Sequence, residues 1–324
     1  MRPLPRLFLA ALALGLTAPP CLAQEAWPAK SVRLVIGFPP GGSLDSLARA
    51  LAQPMTRTLG QSVVVENRPG AGQSLAAEVV AKAEPDGYTF GLVDSGPLTV
   101  SPHLKAQGFD PLKSFAPVGS VAKLPLLLAA SNGSGITSLQ DMMRAARERP
   151  GALSYASAGP ASMHNLTGEY MKSLLKLDIA HVPYKGVAQI LPDLIAGRVP
   201  LMFGGISGSA PFVRDKQIRA IGVTSPKRSQ ALPDVPTLAE QGLPGFDSQG
   251  WVGMYAPVGV PAPMIAKMGA ALRAALKDRA VIQQEEVRGG NELLAGTVEE
   301  LAALAAADYA RWGKVIREQG IRAD

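Results

Sequence analysis

Two short stretches combine residue types that can hold an anion without using a charged side chain. Phe38-Pro39-Pro40-Gly41-Gly42-Ser43-Leu44-Asp45 sets two prolines and two glycines ahead of a serine and an acid. Ser157-Ala158-Gly159-Pro160-Ala161-Ser162 has a similar make-up, with His164 just beyond it. Proline holds φ near about −65° and stiffens the approach. Glycine lets the backbone turn sharply and brings bare N–H groups close to whatever sits there. Where such a turn opens a helix, the first N–H groups have no intrahelical partner and carry partial positive charge. That is the chemistry of carboxylate capture. An ordinary turn capped by a serine uses the same geometry, so both readings stand at this point.

The side chains nearby are weighed the same way. Ser157 and Ser162 either donate to a ligand carboxylate or cap the following helix, and ligand contact is preferred. Asp45 falls in a helix first turn, where an acid is favourable by about 0.3–1 kcal/mol; a ligand-hydroxyl role weighs equally. His164 reads more as a packed residue than as a ligand contact. Tyr184 and Lys185 follow a strand and line the site in one reading, with Lys185 solvated in the other; His103 and His181 read as structural or surface residues. An enzyme reading, a serine hydrolase using Ser157 or Ser162 with His164, lacks a Gly-x-Ser-x-Gly elbow. Gly70-Ala71-Gly72-Gln73-Ser74-Leu75 lacks the third glycine of a dinucleotide fingerprint. There is no His-Glu-x-x-His, no phosphate loop and no cysteine ligand set, so no catalytic residue, metal or cofactor is expected.

The elements that must position these loops repeat along the chain. Residues 32–36 form a short apolar strand, and Leu44, Leu47, Leu51, Met55 and Leu59 recur at helical spacing behind the first loop, with Pro54 bending that helix. Val63-Val64-Val65 is a second strand, followed by Asn67-Arg68-Pro69-Gly70-Ala71-Gly72 and a helix with Leu75, Val79 and Val80; residues 88–93 are a third, closing on Asp94-Ser95-Gly96. From Phe115 the pattern restarts. A crossing at 118–121 leads to a strand at 126–128, a helix capped by Thr137 or Ser138, and a strand at 153–156 that opens into the second Gly/Ser loop. Further strands are expected at 179–182 and 199–203, the latter running into Gly204-Gly205, with a return crossing at 218–223. The rest holds a Pro-rich stretch, a strand at 251–256 and helices near 263–278 and 297–319. Alternating strands and helices predict an α/β fold, and ligands in open α/β sheets sit beyond the strand carboxyl ends.

Residues 1–23, with Arg2, Arg6 and an apolar run over 7–16, read as a signal peptide cleaved near Ala23. The only cysteine, Cys21, lies within it, so disulfides and thiolate chemistry are excluded from the mature chain. Loss of the two arginines lowers the formal charge of +6 to +4. The basic residues are scattered, with few aromatics between them, which argues against nucleic acid and suits anionic small solutes.

Several motifs, taken in order, resemble one family. They are residues 35–45, Val65-Glu66-Asn67-Arg68-Pro69-Gly70-Ala71-Gly72, Pro85-Asp86-Gly87-Tyr88-Thr89, His181-Val182-Pro183-Tyr184-Lys185-Gly186, Leu232-Pro233-Asp234-Val235-Pro236-Thr237 and Ala256-Pro257-Val258-Gly259-Val260-Pro261. Together they are similar to the Bug family, the periplasmic substrate-binding proteins of tripartite tricarboxylate transporters. The resemblance implies a two-lobed Venus-flytrap, type II periplasmic binding protein-like, each lobe a mostly parallel sheet flanked by helices. Residues 24–121 and 225–324 would build lobe 1 and residues 122–224 lobe 2. It also implies a small organic acid gripped between the residue 38–45 and 157–162 loops, delivery to integral-membrane permease subunits, and a monomer in the periplasm. Presentation of the loaded protein to a sensor kinase is the alternative partner role. Three stretches depart from the family pattern, the first being the second loop, whose usual Gly-Ser-Gly reads Ser157-Ala158-Gly159-Pro160 and is stiffer. Gly204 and Gly205 stand where many relatives carry an acidic or amide side chain, and Asp94-Ser95 stands where Ser or Thr is more usual. An acid at 94 would bind an amine or hydroxyl, or repel a second carboxylate.

Overall fold

The structure, a computed structural model, describes residues 27–318 and 320–322. The expected signal peptide, residues 1–23, lies outside the described residues. In chain order the elements are β1 (Val32–Ile36), α1 (Ser43–Leu59), β2 (Val63–Asn67), α2 (Ser74–Ala81), β3 (Thr89–Asp94), α3 (Ser101–Leu104) and β4 (Phe115–Ser131). Next come α4 (Leu139–Glu148), β5 (Ser154–Ser157), α5 (Met163–Leu175), β6 (Ala180–Pro183), α6 (Val187–Ile195), β7 (Leu201–Gly205), α7 (Ile206–Arg214) and β8 (Ile218–Val223). The chain ends with β9 (Gln249–Pro257), α8 (Ala262–Leu276), α9 (Arg279–Ile282), β10 (Glu292–Leu293) and α10 (Val298–Glu318).

Two sheets share one strand. The first runs β2-β1-β3-β9-β4 and the second β6-β5-β7-β4-β8, with β10 added to β4 at the first lobe. Each order reads outward from a parallel trio to antiparallel neighbours, so the second lobe repeats the first. In both, the parallel trio (β1 with β2 and β3; β5 with β6 and β7) carries the βα loops. The antiparallel pairs lie at the crossings. Parallel strands send their carboxyl ends, and the loops after them, to one edge.

The long strand β4 replaces two expected pieces. Residues 115–125 pair with β9, and from Leu126 the same strand pairs with β7 and β8. Pro117, Gly119 and Pro125 interrupt the sequence pattern without ending the strand; shifts in register fall between Pro117 and Gly119 and between Ser120 and Ala122. The expected return crossing at 218–223 is instead β8, an edge strand of the second sheet. The stretch after it also stays with that lobe, unlike the expected boundary at 225. Leu238, Leu243 and Phe246 join its core on one face and Ala231 and Leu232 on the other. The chain returns to the first sheet at Ser248 and Gln249, where Ser248 N–H donates to Thr224 O.

Helix α1 lays Leu44, Leu47, Leu51 and Met55 on the first sheet beside α8, and α2 and α10 cover the opposite face. It ends at Gly60, whose left-handed φ of 74° permits a turn that closes on Thr56 O. A smaller cluster joins the lobes. Val100, Trp312 and Ile316 pack against Met163 and Leu166 of α5, and Trp312 meets the Tyr170 ring edge-on at 5.9 Å. Phe203 is fully buried between Tyr155 and the apolar face of α4 in the second lobe. Phe203→Ala should therefore cost about 3–5 kcal/mol by urea unfolding, read as a lower midpoint at an unchanged m-value.

Candidate functional site

The Pro-Pro-Gly-Gly turn is held from below by an acid in the first turn of its own helix. Gly41, at φ 83°, donates its N–H to Asp45 Oδ2 at 3.0 Å, and Gly42 N–H reaches Pro39 O at 3.3 Å. Asn67, at the end of β2, donates to Asp45 Oδ1 at 2.8 Å and to Phe38 O at 2.9 Å. Arg49 forks onto the same carboxylate, with its Nε 3.0 Å from each oxygen. Burial works to raise the Asp45 pKa, but the hydrogen bonds from Arg49, Asn67 and Gly41 outweigh it and hold the group below the usual carboxylate range. The Asp45 carboxylate is thus engaged by the turn. No serine side chain caps α1: its N-cap is Gly42, and Ser46 N–H makes the first intrahelical bond, to Gly42 O. The N–H groups of Ser43, Leu44 and Asp45 lie ahead of that bond.

The second loop repeats the device with a neutral residue. Ala161, at φ 58°, donates its N–H to Asn165 Oδ1 at 3.1 Å, and Asn165 stands third in α5 as Asp45 stands third in α1. Ser162 is the N-cap of α5: its Oγ accepts Asn165 N–H at 3.2 Å and donates to Gly159 O at 2.7 Å. The Ser157 hydroxyl lies 2.7 Å from His181 Nε2 and also bonds within the loop at Gly159. Both hydroxyls are therefore engaged inside the loop, and neither pairs with His164. His181, read from sequence as structural or surface, anchors Ser157.

The loops of the two lobes meet. The Phe38 and His164 rings are 6.2 Å apart. Ser101 Oγ donates to Ala161 O across the lobes at 3.1 Å. Three glycines allow close approach: a Cβ on Gly186 would stand 2.7 Å from Pro39 Cγ, one on Gly72 would stand 2.4 Å from Pro160 O, and one on Gly205 would stand 2.8 Å from Ser43 Oγ. Gly205, the N-cap of α7, therefore admits α1 where a side chain would hold it off. Gly204 faces inward, close to Ser209 and Val187. Helices α1, α5, α6 and α7 thus all begin at this junction. An open groove of about 370 Å³ runs along it, between residues 70–72 and 158–160, with Tyr184 and exposed Lys185 on its wall. The Tyr184 hydroxyl turns away to Asp193, at 2.7 Å. A hollow of about 410 Å³ lies instead beside the crossings, walled by Lys123, residues 225–230 and Glu292, where no parallel strand ends.

Several buried polar atoms at the junction have no partner among the described residues: both amide atoms of Gln73, the Ser74 hydroxyl and both ring nitrogens of His164. Burial holds the His164 pKa down at about 4, so the ring is neutral. Gln73 has a left-handed φ of 75°, and Gly37 makes room for it, since a Cβ there would lie 2.7 Å from Gln73 Cβ. Asp94 ends β3 with Oδ1 accepting Gly96 N–H at 2.9 Å, and Ser95 Oγ accepts Trp251 N–H. Burial pushes the Asp94 pKa up to about 7, with Asp308 adding to the rise and the Gly96 N–H opposing it. Sequence reasoning did not single out Gln73, Ser74 or Asn67. The available signal was the Gly-rich turn after β2, at the same sheet edge as the first loop.

The family described as the tripartite tricarboxylate transporter family receptor matches residues 47–321. A UPF0065 protein from the tcbD-tcbE intergenic region of Pseudomonas sp. (strain P51) is 36% identical over 326 residues, covering 98% of this chain and 96% of its own. The periplasmic binding protein BugD superposes with a TM-score of 0.88 at 32% identity, over 92% of this chain and all of its own. R. palustris Rpa4515 with adipate gives 0.87 at 34% identity, over 91% and 99%. MatC (Rpa3494) from Rhodopseudomonas palustris with bound malate gives 0.85 at 32%, over 90% and 100%.

The Asp45 clamp sets a testable stability term. Asp45→Ala should cost about 1–3 kcal/mol at pH 7, because it strands the Gly41 and Asn67 donors. The folded pKa is depressed, so this stabilisation is present above the unfolded value of 3.8 and is lost as pH falls through the folded pKa. Melting curves of the two proteins should lie apart at neutral pH and converge in acid.

Proposed function

The chain belongs to the tripartite tricarboxylate transporter receptors, the Bug family of solute-binding proteins and not enzymes, and from that membership we propose that it captures a small carboxylate between its lobes. The observation that carries the reading is the meeting of two Gly-rich loops, each placing uncommitted helix N-terminal N–H groups at one junction. The carboxylate lies against the first turns of α1 and α5, between residues 38–43 and 158–164. Gly204 and Gly205 contribute backbone only. The adipate and malate of the two R. palustris relatives support a dicarboxylate-sized solute. Asp45, Ser157 and Ser162 act as positioning residues that hold the loops open-handed, while Phe38, Pro39 and His164 shape the wall. The protein works in the periplasm and passes its solute to the membrane permease subunits of a tripartite transporter. Closure is selected because only the closed form places both loops on one ligand.

A thermal-shift screen of mono-, di- and tricarboxylates tests this. At least one should raise Tm without being consumed; an unchanged Tm across the acids, or turnover of one, overturns the reading. Gly205→Val should lower the affinity for the best of these acids tenfold or more by calorimetry, because its Cβ meets Ser43 and props the lobes apart. The unliganded Tm should move far less than the affinity does.

A further inference from the structure

Asp94 is a buried acid at the lobe junction with no basic side chain against it among the described residues. Its Oδ1 takes the Gly96 N–H; its Oδ2 lies 3.5 Å from where a Cβ on Gly250 would stand. The charged group facing it is another acid, Asp308 of α10. Asp308 is already held by Trp251 Nε1 at 2.9 Å and by Thr99, with Arg311 3.8 Å from its far oxygen. A carboxyl buried without a counter-charge is costly to ionise, so it holds its proton unless a cationic partner comes against it. A second observation points the same way. Gln73, only 5% exposed, leaves both amide atoms unpaired, and it is the other polar side chain lining the cavity that Asp94 lines. That cavity is about 10 Å³, room for one water-sized group, and its other walls are Gly37, Pro97 and apolar side chains. The N-terminus of α5 is close by, with Met163 N 3.4 Å from where a Cβ on Gly96 would stand. The junction therefore presents acceptors on one side and a helix N-terminus on the other.

We infer that the solute is a carboxylate that also bears an ammonium group, an amino-acid-type zwitterion, with Asp94 as the counter-ion of the ammonium and Gln73 Oε1 as its second acceptor. The inference rests on the carboxylate reading of the same junction and adds its second functional group. A solute with carboxylates alone brings negative charge toward Asp94, whereas an ammonium is the size of the cavity and neutralises the acid. Its carboxylate is then free to lie against the α1 and α5 first turns.

The test is calorimetric titration of the mature chain with matched pairs: L-aspartate and succinate, L-glutamate and glutarate, γ-aminobutyrate and butyrate. The expected result is one pair whose amino member binds at least tenfold tighter, with that advantage abolished in both Asp94→Asn and Asp94→Ser. Melting curves confirm that each variant is folded, and the two variants guard against failure of either. Equal or tighter binding of the unaminated acid in every pair overturns the ammonium inference and leaves the carboxylate reading intact. An amino preference that survives both variants also overturns the role of Asp94. Binding of none of the six acids overturns the ammonium inference, and the carboxylate reading then stands or falls on the thermal-shift screen.

Discussion

A main-chain amide can grip a solute only if the protein itself leaves it unsatisfied, and an unsatisfied amide is costly unless its neighbours hold it rigidly. The two Gly-rich turns meet this constraint in the same way. In each, the third residue of the helix reaches back to the N–H of the residue four before it: Asp45 to Gly41, and Asn165 to Ala161. The back-bond fixes the turn while the N–H groups that open each helix, those of Ser43 and Leu44 in the first and of Met163 and His164 in the second, stay uncommitted. Asn67, Arg49 and His181 brace the clamps from outside the loops. Rigidity thus comes from side chains that need not touch the solute, which explains why so many polar residues near the junction are already paired.

The two clamps are not equal. The first is ionic and draws on Arg49; the second is neutral and extends through Asn165 Nδ2 to the Tyr155 hydroxyl, 3.0 Å away. The first lobe therefore carries fixed charge beneath its turn, and the second carries an uncharged network inside its core. Asp94 adds a buried acid to the first lobe beside Asp308, whose far oxygen faces Arg311, while the junction side of the second lobe offers helix starts at α5, α6 and α7.

Much of this was legible in the sequence. The strand–turn–helix units at 32–59 and 153–174 have the apolar periods and turn residues that their structures need, and their recurrence announced the repeated lobe. The limits are physical. Helix α7 opens Ile206-Ser207-Gly208-Ser209-Ala210-Pro211, where Ser207, Gly208, Ser209 and Pro211 disfavour a helix; packing of Ile206 and Ala210 against the second core holds it helical. Pro117, Gly119 and Pro125 read as breaks, yet antiparallel pairing with β9 and local shifts in register carry β4 through them. Residues 225–247 have no period, so burial of Leu238, Leu243 and Phe246 on one face and of Ala231 and Leu232 on the other assigns them to the second lobe. Whether a serine faces a ligand or its own backbone depends on χ angles that residue type does not fix, which is why Ser157 and Ser162 were open until their partners were visible. Gln73 was hidden for the opposite reason: its importance lies in bonds it does not make.

The edge-on packing of Trp312 against Tyr170 has a mechanical corollary. Helix α10 grows out of the first lobe, yet its final turns sit on α5, and Arg311 donates to Asp247 O in the stretch leading back to β9. The covalent crossings at β4 and 248–249 act as a hinge pin, and α10 acts as a strut set off to one side of it. A body joined by a pin and an offset strut cannot swing freely: parting the junction must either slide the indole along the tyrosine or peel the strut away. The chain's last helix therefore sets both the stiffness of the gape and the direction in which it opens.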